Sequence, residues 1–189
     1  MLLAFSLTGQ DSTLLSCRVK DQYISFVQKD KDPNNIFILV EDLNHIVVDT
    51  VSQRGFPPTD CKCNDSIATF YFNNSVSPVL YFIKFDDNEW KYHDFYGPPR
   101  FPLVGILVEG ERYEKFTSEL ISPTELHAVL KVYRGKRDGG KVLEEQYEIV
   151  SKVLPNPDWK PDPTEPPSRR NHDRYKMKMV EKVAVPIQE

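Results

Sequence analysis

Cysteine has the most direct chemical possibilities in this sequence, and two of its three cysteines, Cys61 and Cys63, are separated by one residue. A structural zinc site uses four Cys or His ligands, commonly with two residues between paired cysteines, and only Cys17 could join this pair. A Cys61–Cys63 disulfide would close a small, strained ring, so an oxidised form would pair Cys17 with one of them. We therefore expect reduced thiols, with Cys17 in or near the core and the pair in a loop, and neither a metal nor a cofactor.

The histidines and acidic residues do not form a recognisable catalytic set. His93 and Asp94 are adjacent, and adjacent residues of a strand point to opposite faces, so they cannot act as an orienting pair there. The sequence has no nucleophile-elbow, P-loop, zinc-protease or dinucleotide-binding motif. We predict a protein without enzymatic activity. An enzyme whose site is assembled from dispersed residues is one alternative.

The elements that must position any site are short apolar runs, rich in β-branched and aromatic residues and separated by turn residues. Their regular spacing is typical of a sandwich or barrel. The sequence therefore predicts a mostly β fold, all-β or α+β, with about eight antiparallel strands. The runs are residues 12–19, 22–29, 36–42, 45–52, 66–73, 78–86, 89–95 and 103–110.

The hydrophobic period changes after residue 121. Residues 122–125, Ser-Pro-Thr-Glu, fit a helix capping box, and the apolar residues that follow recur at helical spacing. We predict one or two C-terminal helices from this pattern. The same stretch can also form a hairpin with Gly-Lys-Arg-Asp-Gly-Gly as its turn, and both possibilities stay open. The apolar helical positions are Leu126, Val129, Leu130 and Tyr133, then Leu143, Tyr147, Val150 and Leu154.

A chain of 189 residues is long enough for one domain with a substantial core. Seven of the 15 prolines lie at or after Pro155, in a segment with few large apolar residues. Such a segment does not form a core of its own. We predict a globular β-rich domain over residues 1–154 and an extended or disordered, Pro-rich, partly basic C-terminal arm over residues 155–189.

Aromatic residues are concentrated between residues 90 and 101, interleaved with basic ones and stiffened by two prolines. Exposed aromatic and Arg residues are typical of binding hot spots, although these same residues could instead form the core and lid of the domain. Acidic neighbours and a net charge of −4 weigh against nucleic acid as the ligand. The predicted partner-binding residues here are Trp90, Tyr92, Phe95, Tyr96, Arg100 and Phe101.

The C-terminal arm supplies the other predicted partner-binding residues. Trp159 is a lone aromatic anchor in a polar, Pro-rich context. Further along, Tyr175, Met177 and Met179 alternate with basic residues at the period of a strand. Such a strand can add to the edge of a sheet in its own domain or in a partner.

Together these features predict a soluble protein-protein interaction module or adaptor. No run approaches the roughly 18 apolar residues of a membrane span. An odd number of cysteines and the absence of a basic, cleavable leader favour an intracellular, cytoplasmic location. Two glycosylation sequons, at Asn64 and Asn73, support the alternative of a secreted or surface ligand-binding β-sandwich.

Overall fold

The part of the chain that the structure describes forms twelve strands in three antiparallel sheets of four strands each. The computed structural model describes residues 11–30, 32, 36–54, 57–73, 79–86, 89–96, 109–160, 164 and 174–187. The predicted mostly β, antiparallel class is confirmed, as layered sheets rather than a closed barrel. Within the described ranges, no helix is long and apolar enough to cross a membrane.

Sheet A contains the first four strands, each antiparallel to the next. They are β1 (Ser12–Val19), β2 (Gln22–Gln28), β3 (Ile36–Glu41) and β4 (Val47–Arg54). The β3–β4 turn is closed by a carboxylate: Asp42 Oδ1 accepts hydrogen bonds from the backbone amides of Asn44 (2.8 Å) and Ile46 (2.9 Å). Aspartate favours such turns because its short side chain reaches backbone amides a few residues ahead.

Sheet B contains the next four strands in the same sequential order. They are β5 (Asp60–Cys63), β6 (Ile67–Phe72), β7 (Val79–Asp86) and β8 (Glu89–Tyr96). Asn64 Oδ1 accepts hydrogen bonds from the amides of Ser66 and Ile67, both at 3.0 Å, and so fixes the β5–β6 turn. The two cysteines predicted to lie in a loop are therefore part of a strand.

Sheet C contains the last four strands, in the spatial order β12-β11-β10-β9. They are β9 (Arg112–Ser122), β10 (Glu125–Gly135), β11 (Lys141–Pro155) and β12 (Tyr175–Ala184). The predicted C-terminal strand is thus confirmed, and it adds to its own domain's sheet. The domain boundary at residue 154 stays a prediction, although β12 contributes the buried Tyr175 to the core.

Sheet B is the middle layer of the described fold. One apolar cluster fills the space between sheets A and B, and a second lies between sheets B and C. Because β6 and β7 are buried on both faces, they need apolar side chains at consecutive positions. Toward sheet A point Phe70, Tyr81 and Ile83, and toward sheet C point Tyr71, Leu80 and Phe82.

Polar contacts also join sheet B to sheet C. The Tyr71 hydroxyl lies 2.5 Å from Ser118 Oγ, and Thr69 Oγ1 donates to the carbonyl of Pro123 at 2.5 Å. Lys84 Nζ donates to the Tyr175 hydroxyl at 2.7 Å. These bonds satisfy polar groups that the packing of the two sheets removes from water.

The helices predicted after residue 121 are wrong, and the alternative hairpin is found. Residues Glu125–Gly135 and Lys141–Pro155 pair as antiparallel strands. The physical reason is a period of two: Leu126, Ala128 and Val132 are buried, whereas the intervening Val129 lies on the opposite face. The β-branched and aromatic residues of both segments favour strands, and this tertiary burial outweighs the local helical spacing.

We predict that Tyr175 stabilises the whole fold. Its ring centroid lies 5.2 Å from that of Phe82 and 5.0 Å from that of His93. Tyr175→Ala should lower the free energy of unfolding by about 3–5 kcal/mol, the usual cost of truncating a large buried aromatic side chain. Tyr175→Phe should cost only about 0.5–1.5 kcal/mol, because it removes a single hydrogen bond.

Denaturant unfolding of purified variants measures these differences. Met179→Ala is the matched control on the same strand, because Met179 is 61% exposed and its truncation should change stability by about 0.5 kcal/mol or less. Equal unfolding midpoints for Tyr175→Ala and Met179→Ala would contradict the assignment of Tyr175 to the core.

Candidate functional site

A cavity of about 300 Å³ opens at one end of the two-sheet sandwich formed by sheets A and B. Four separate segments meet there: the β1–β2 turn, the end of β3, the β5–β6 turn and the β7–β8 hairpin. We call this cavity the Trp90 pocket. It is lined by Val19, Lys20, Asp21, Gln22, Asp42, Asp65, Phe85 and Trp90.

Two aromatic side chains form one wall of the Trp90 pocket. Phe85 and Trp90 are cross-strand partners in the β7–β8 hairpin, with ring centroids 5.1 Å apart at an interplanar angle of 57°. Trp90 Nε1 donates a 3.1 Å hydrogen bond to Gln22 Oε1, which fixes the orientation of the indole. Phe85 is 39% exposed, so an aromatic face is available to a ligand.

The other side of the Trp90 pocket is acidic. Asp21, Asp42 and Asp65 each lie in or next to a turn, and Lys20 is the only basic residue among the described lining residues. Lys20 has a φ of 53°, in the left-handed region, within the two-residue β1–β2 turn. With three carboxylates and one ammonium group, the lining has a negative formal charge.

Asp42 is held in its ionised form. The backbone amide of Ile46 is the main cause that lowers the pKa of this carboxyl group below its ordinary value of 3.8, and the amide of Asn44 acts in the same direction. Hydrogen bonds donated to a carboxylate stabilise the charged form. Asp42 therefore presents a fixed negative charge to the pocket near neutral pH.

The structure separates the predicted aromatic residues between the two faces of β8. Trp90 and Tyr92 point toward sheet A, where Trp90 lines the pocket and Tyr92 packs against the core. Phe95 points toward sheet C and packs against the second core cluster. Tyr96 ends β8, whereas Arg100 and Phe101 lie outside the described residues.

The C-terminal arm contacts the hairpin that carries the aromatic wall. Arg174 Nη2 lies 2.5 Å from Asp86 Oδ2, and its guanidinium lies 5.1 Å above the ring of Trp159. Asp86 follows Phe85 directly in β7, so the arm is anchored next to the pocket. Of the other predicted arm residues, Tyr175 is buried, Met177 packs against the core and Met179 is exposed.

Sequence reasoning identified Trp90 but missed the acidic side of the pocket. Asp21, Asp42 and Asp65 are far apart in the chain, and each resembles an ordinary turn aspartate. Only the packing of sheet A on sheet B brings them together. The one available signal was that Asp21 and Asp65 directly precede predicted strands and Asp42 is the last residue of one.

A polar chain on sheet A, buried at Ser25 and Glu41 and exposed at His45, has a different arrangement from a catalytic triad. The Ser25 hydroxyl donates to Glu41, which is 2% exposed, and His45 Nδ1 lies 3.9 Å from the same carboxylate. In a serine hydrolase the histidine lies between the serine and the acid. Here Glu41 lies between them, so His45 is not placed to accept a proton from Ser25.

Among the described side chains, no group of three or more potential ligands is arranged to hold a metal ion.

Nothing matches this chain among models of protein families, curated protein sequences or solved structures. The inference of function therefore depends on the pocket and its surroundings.

We predict that the Asp42 carboxyl group titrates below pH 3.8 in the folded protein, because two backbone amides bind its charged form. A depressed folded-state pKa adds stability that is present above the unfolded pKa and is lost as the pH falls through the folded pKa. Carbon-detected NMR titration of Asp42 measures the midpoint. The same carboxyl in urea-unfolded protein is the control, and a folded midpoint at or above the unfolded one would contradict the prediction.

Proposed function

We propose that this protein is a non-enzymatic interaction module or adaptor that binds a partner protein by receiving a basic side chain in the Trp90 pocket. The observation that carries the proposal is the combination, in one cavity, of the Phe85–Trp90 aromatic wall with three aspartates. Both features stabilise a bound cation: the aromatic ring attracts it, and the carboxylates attract it by Coulomb interaction.

The size of the pocket favours a side chain over a larger ligand. Its volume of about 300 Å³ lies at the lower end of the roughly 300–1,000 Å³ range of small-molecule sites. Arginine suits it better than lysine, because a planar guanidinium can stack on an aromatic face and bind a carboxylate in its plane. The acidic lining would repel the phosphates of nucleic acid.

Apolar residues next to the pocket support a peptide or protein as the ligand. Leu43 and Ile46 are 49% and 51% exposed, and both lie in the turn that Asp42 closes. Exposed apolar side chains beside an acidic cavity match a partner segment in which an apolar residue follows the basic one. We therefore propose an Arg-apolar sequence as the bound element.

The C-terminal arm takes part in the proposed partner surface in two ways. Arg174 and Trp159 support the hairpin beside the pocket. Met179 is exposed on β12, which has a strand partner on one edge only among the described strands. An extended partner segment can pair with such an edge.

The three free cysteines favour the reducing, intracellular setting included in this proposal.

A matched pair of peptides tests the proposal. We predict that Gly-Gly-Arg-Leu-Gly shifts the indole NMR signal of Trp90, whereas the same peptide with citrulline in place of arginine does not. Citrulline keeps the shape of arginine and lacks the charge. The chain has a second tryptophan, Trp159, whose signal is an internal control, and a Trp159→Phe variant assigns the two signals.

Charge variants define the site further. Asp42→Asn keeps an oxygen that accepts the turn hydrogen bonds but removes the charge. It should therefore lower the affinity for the arginine peptide about two- to fivefold, which is typical of one exposed ion pair. Glu148→Gln removes an exposed charge from sheet C and should leave affinity unchanged. Equal binding of the arginine and citrulline peptides, or equal effects of the two variants, would contradict the proposal.

A further inference from the structure

All three cysteines of the chain meet at one place in the fold. Strands β1 and β5, edge strands of sheets A and B, lie beside each other. Cys61 Sγ donates to the carbonyl of Ser16 at 3.6 Å, and Cys63 Sγ donates to the carbonyl of Arg18 at 3.1 Å. Cys17 lies between those two residues, is 5% exposed and belongs to the core cluster against which Cys61 and Cys63 pack.

The three thiols are not equivalent. Interaction between the neighbouring Cys17 and Cys61 thiols is the main cause that raises the pKa of Cys17 and lowers the pKa of Cys61. Burial also raises the pKa of Cys17. For Cys61, burial and the charge of Asp60 act to raise the pKa, whereas the charge of Lys62 acts to lower it. Cys61 therefore has the greater thiolate character and partial access to solvent, whereas Cys17 is its buried neighbour.

This arrangement matches the requirements of thiol-disulfide exchange, in which an accessible thiolate attacks and a neighbouring thiol resolves the adduct. We propose that Cys61 is a site of covalent modification by low-molecular-weight disulfides, and that Cys17 resolves the adduct into a Cys17–Cys61 disulfide. The proposal does not depend on the function of the Trp90 pocket.

The exchange proceeds in two balanced steps. The Cys61 thiolate attacks one sulfur of the small disulfide, which forms a mixed disulfide and releases one small thiolate that takes a proton from water. Cys17 then loses its proton to solvent and attacks the Cys61 sulfur, which releases the second small thiol. Two protein thiols are oxidised, and one small disulfide is reduced to two thiols.

The resulting bond would join the edge strands of two sheets near the Trp90 pocket. Cys17 is two residues before Val19 and Cys61 is four residues before Asp65, and both Val19 and Asp65 line the pocket. A disulfide that closes a long loop restricts the unfolded chain more than the folded one. Oxidation should therefore raise the thermal midpoint of the folded protein.

Peptide mapping of the full chain tests the proposal, with oxidised glutathione as the probe. Trypsin cleaves after Arg18, Arg54, Lys62 and Lys84, so each cysteine lies in a different peptide: 1–18, 55–62 and 63–84. After oxidation, blocking of free thiols and digestion without reductant, we expect peptide 1–18 linked to peptide 55–62 as the main product. Peptide 63–84 should carry a blocked thiol.

Two variants separate the proposed steps. Cys17→Ser removes the resolving thiol and should leave glutathione attached to peptide 55–62. Cys63→Ser should still form the link between peptides 1–18 and 55–62. If a variant fails to fold, the peptide map of the oxidised, unmutated chain still shows whether peptides 1–18 and 55–62 are linked. A persistent adduct with a blocked Cys17, a Cys61–Cys63 bridge or no reaction at any cysteine would each overturn the proposal.

Discussion

The burial of sheet B on both faces is the constraint on which the rest of the described fold depends. Its central strands carry apolar side chains at consecutive positions, so neither face can remain in water without a large free-energy cost. Sheet A covers one face and sheet C covers the other. Sheet A also buries a small apolar cluster, Val27, Leu39 and Val47, on its other face.

The same middle sheet connects the pocket with the C-terminal arm. Alternation along β7 and β8 directs Phe85 and Trp90 toward sheet A and His93 and Phe95 toward sheet C. At the end of β7, Asp86 forms the ion pair with Arg174. An arm that packs on one face of the sheet thus supports a hairpin whose side chains form a binding wall on the other face.

Strands β1 to β4 and β6 to β8 could be predicted from sequence because their apolar runs are bounded by turn residues, as at Lys20-Asp21 between β1 and β2. The short β5 was placed in a loop, and β9 was not identified. The β10–β11 hairpin was ambiguous because Leu126, Val129, Leu130 and Tyr133 fit a helical period, and only burial against sheet B distinguishes the two conformations. The acidic side of the pocket and the cysteine cluster could not be predicted, since both arise where residues distant in the chain meet through sheet packing.

Occupation of the Trp90 pocket by a guanidinium can be observed by isotope-filtered nuclear Overhauser spectroscopy. With labelled protein and unlabelled Gly-Gly-Arg-Leu-Gly, we expect contacts between the arginine side-chain methylene protons and the ring protons of Trp90 and Phe85. Contacts from arginine to Trp159 alone, or the absence of any contact to Trp90 at saturating peptide, would contradict it.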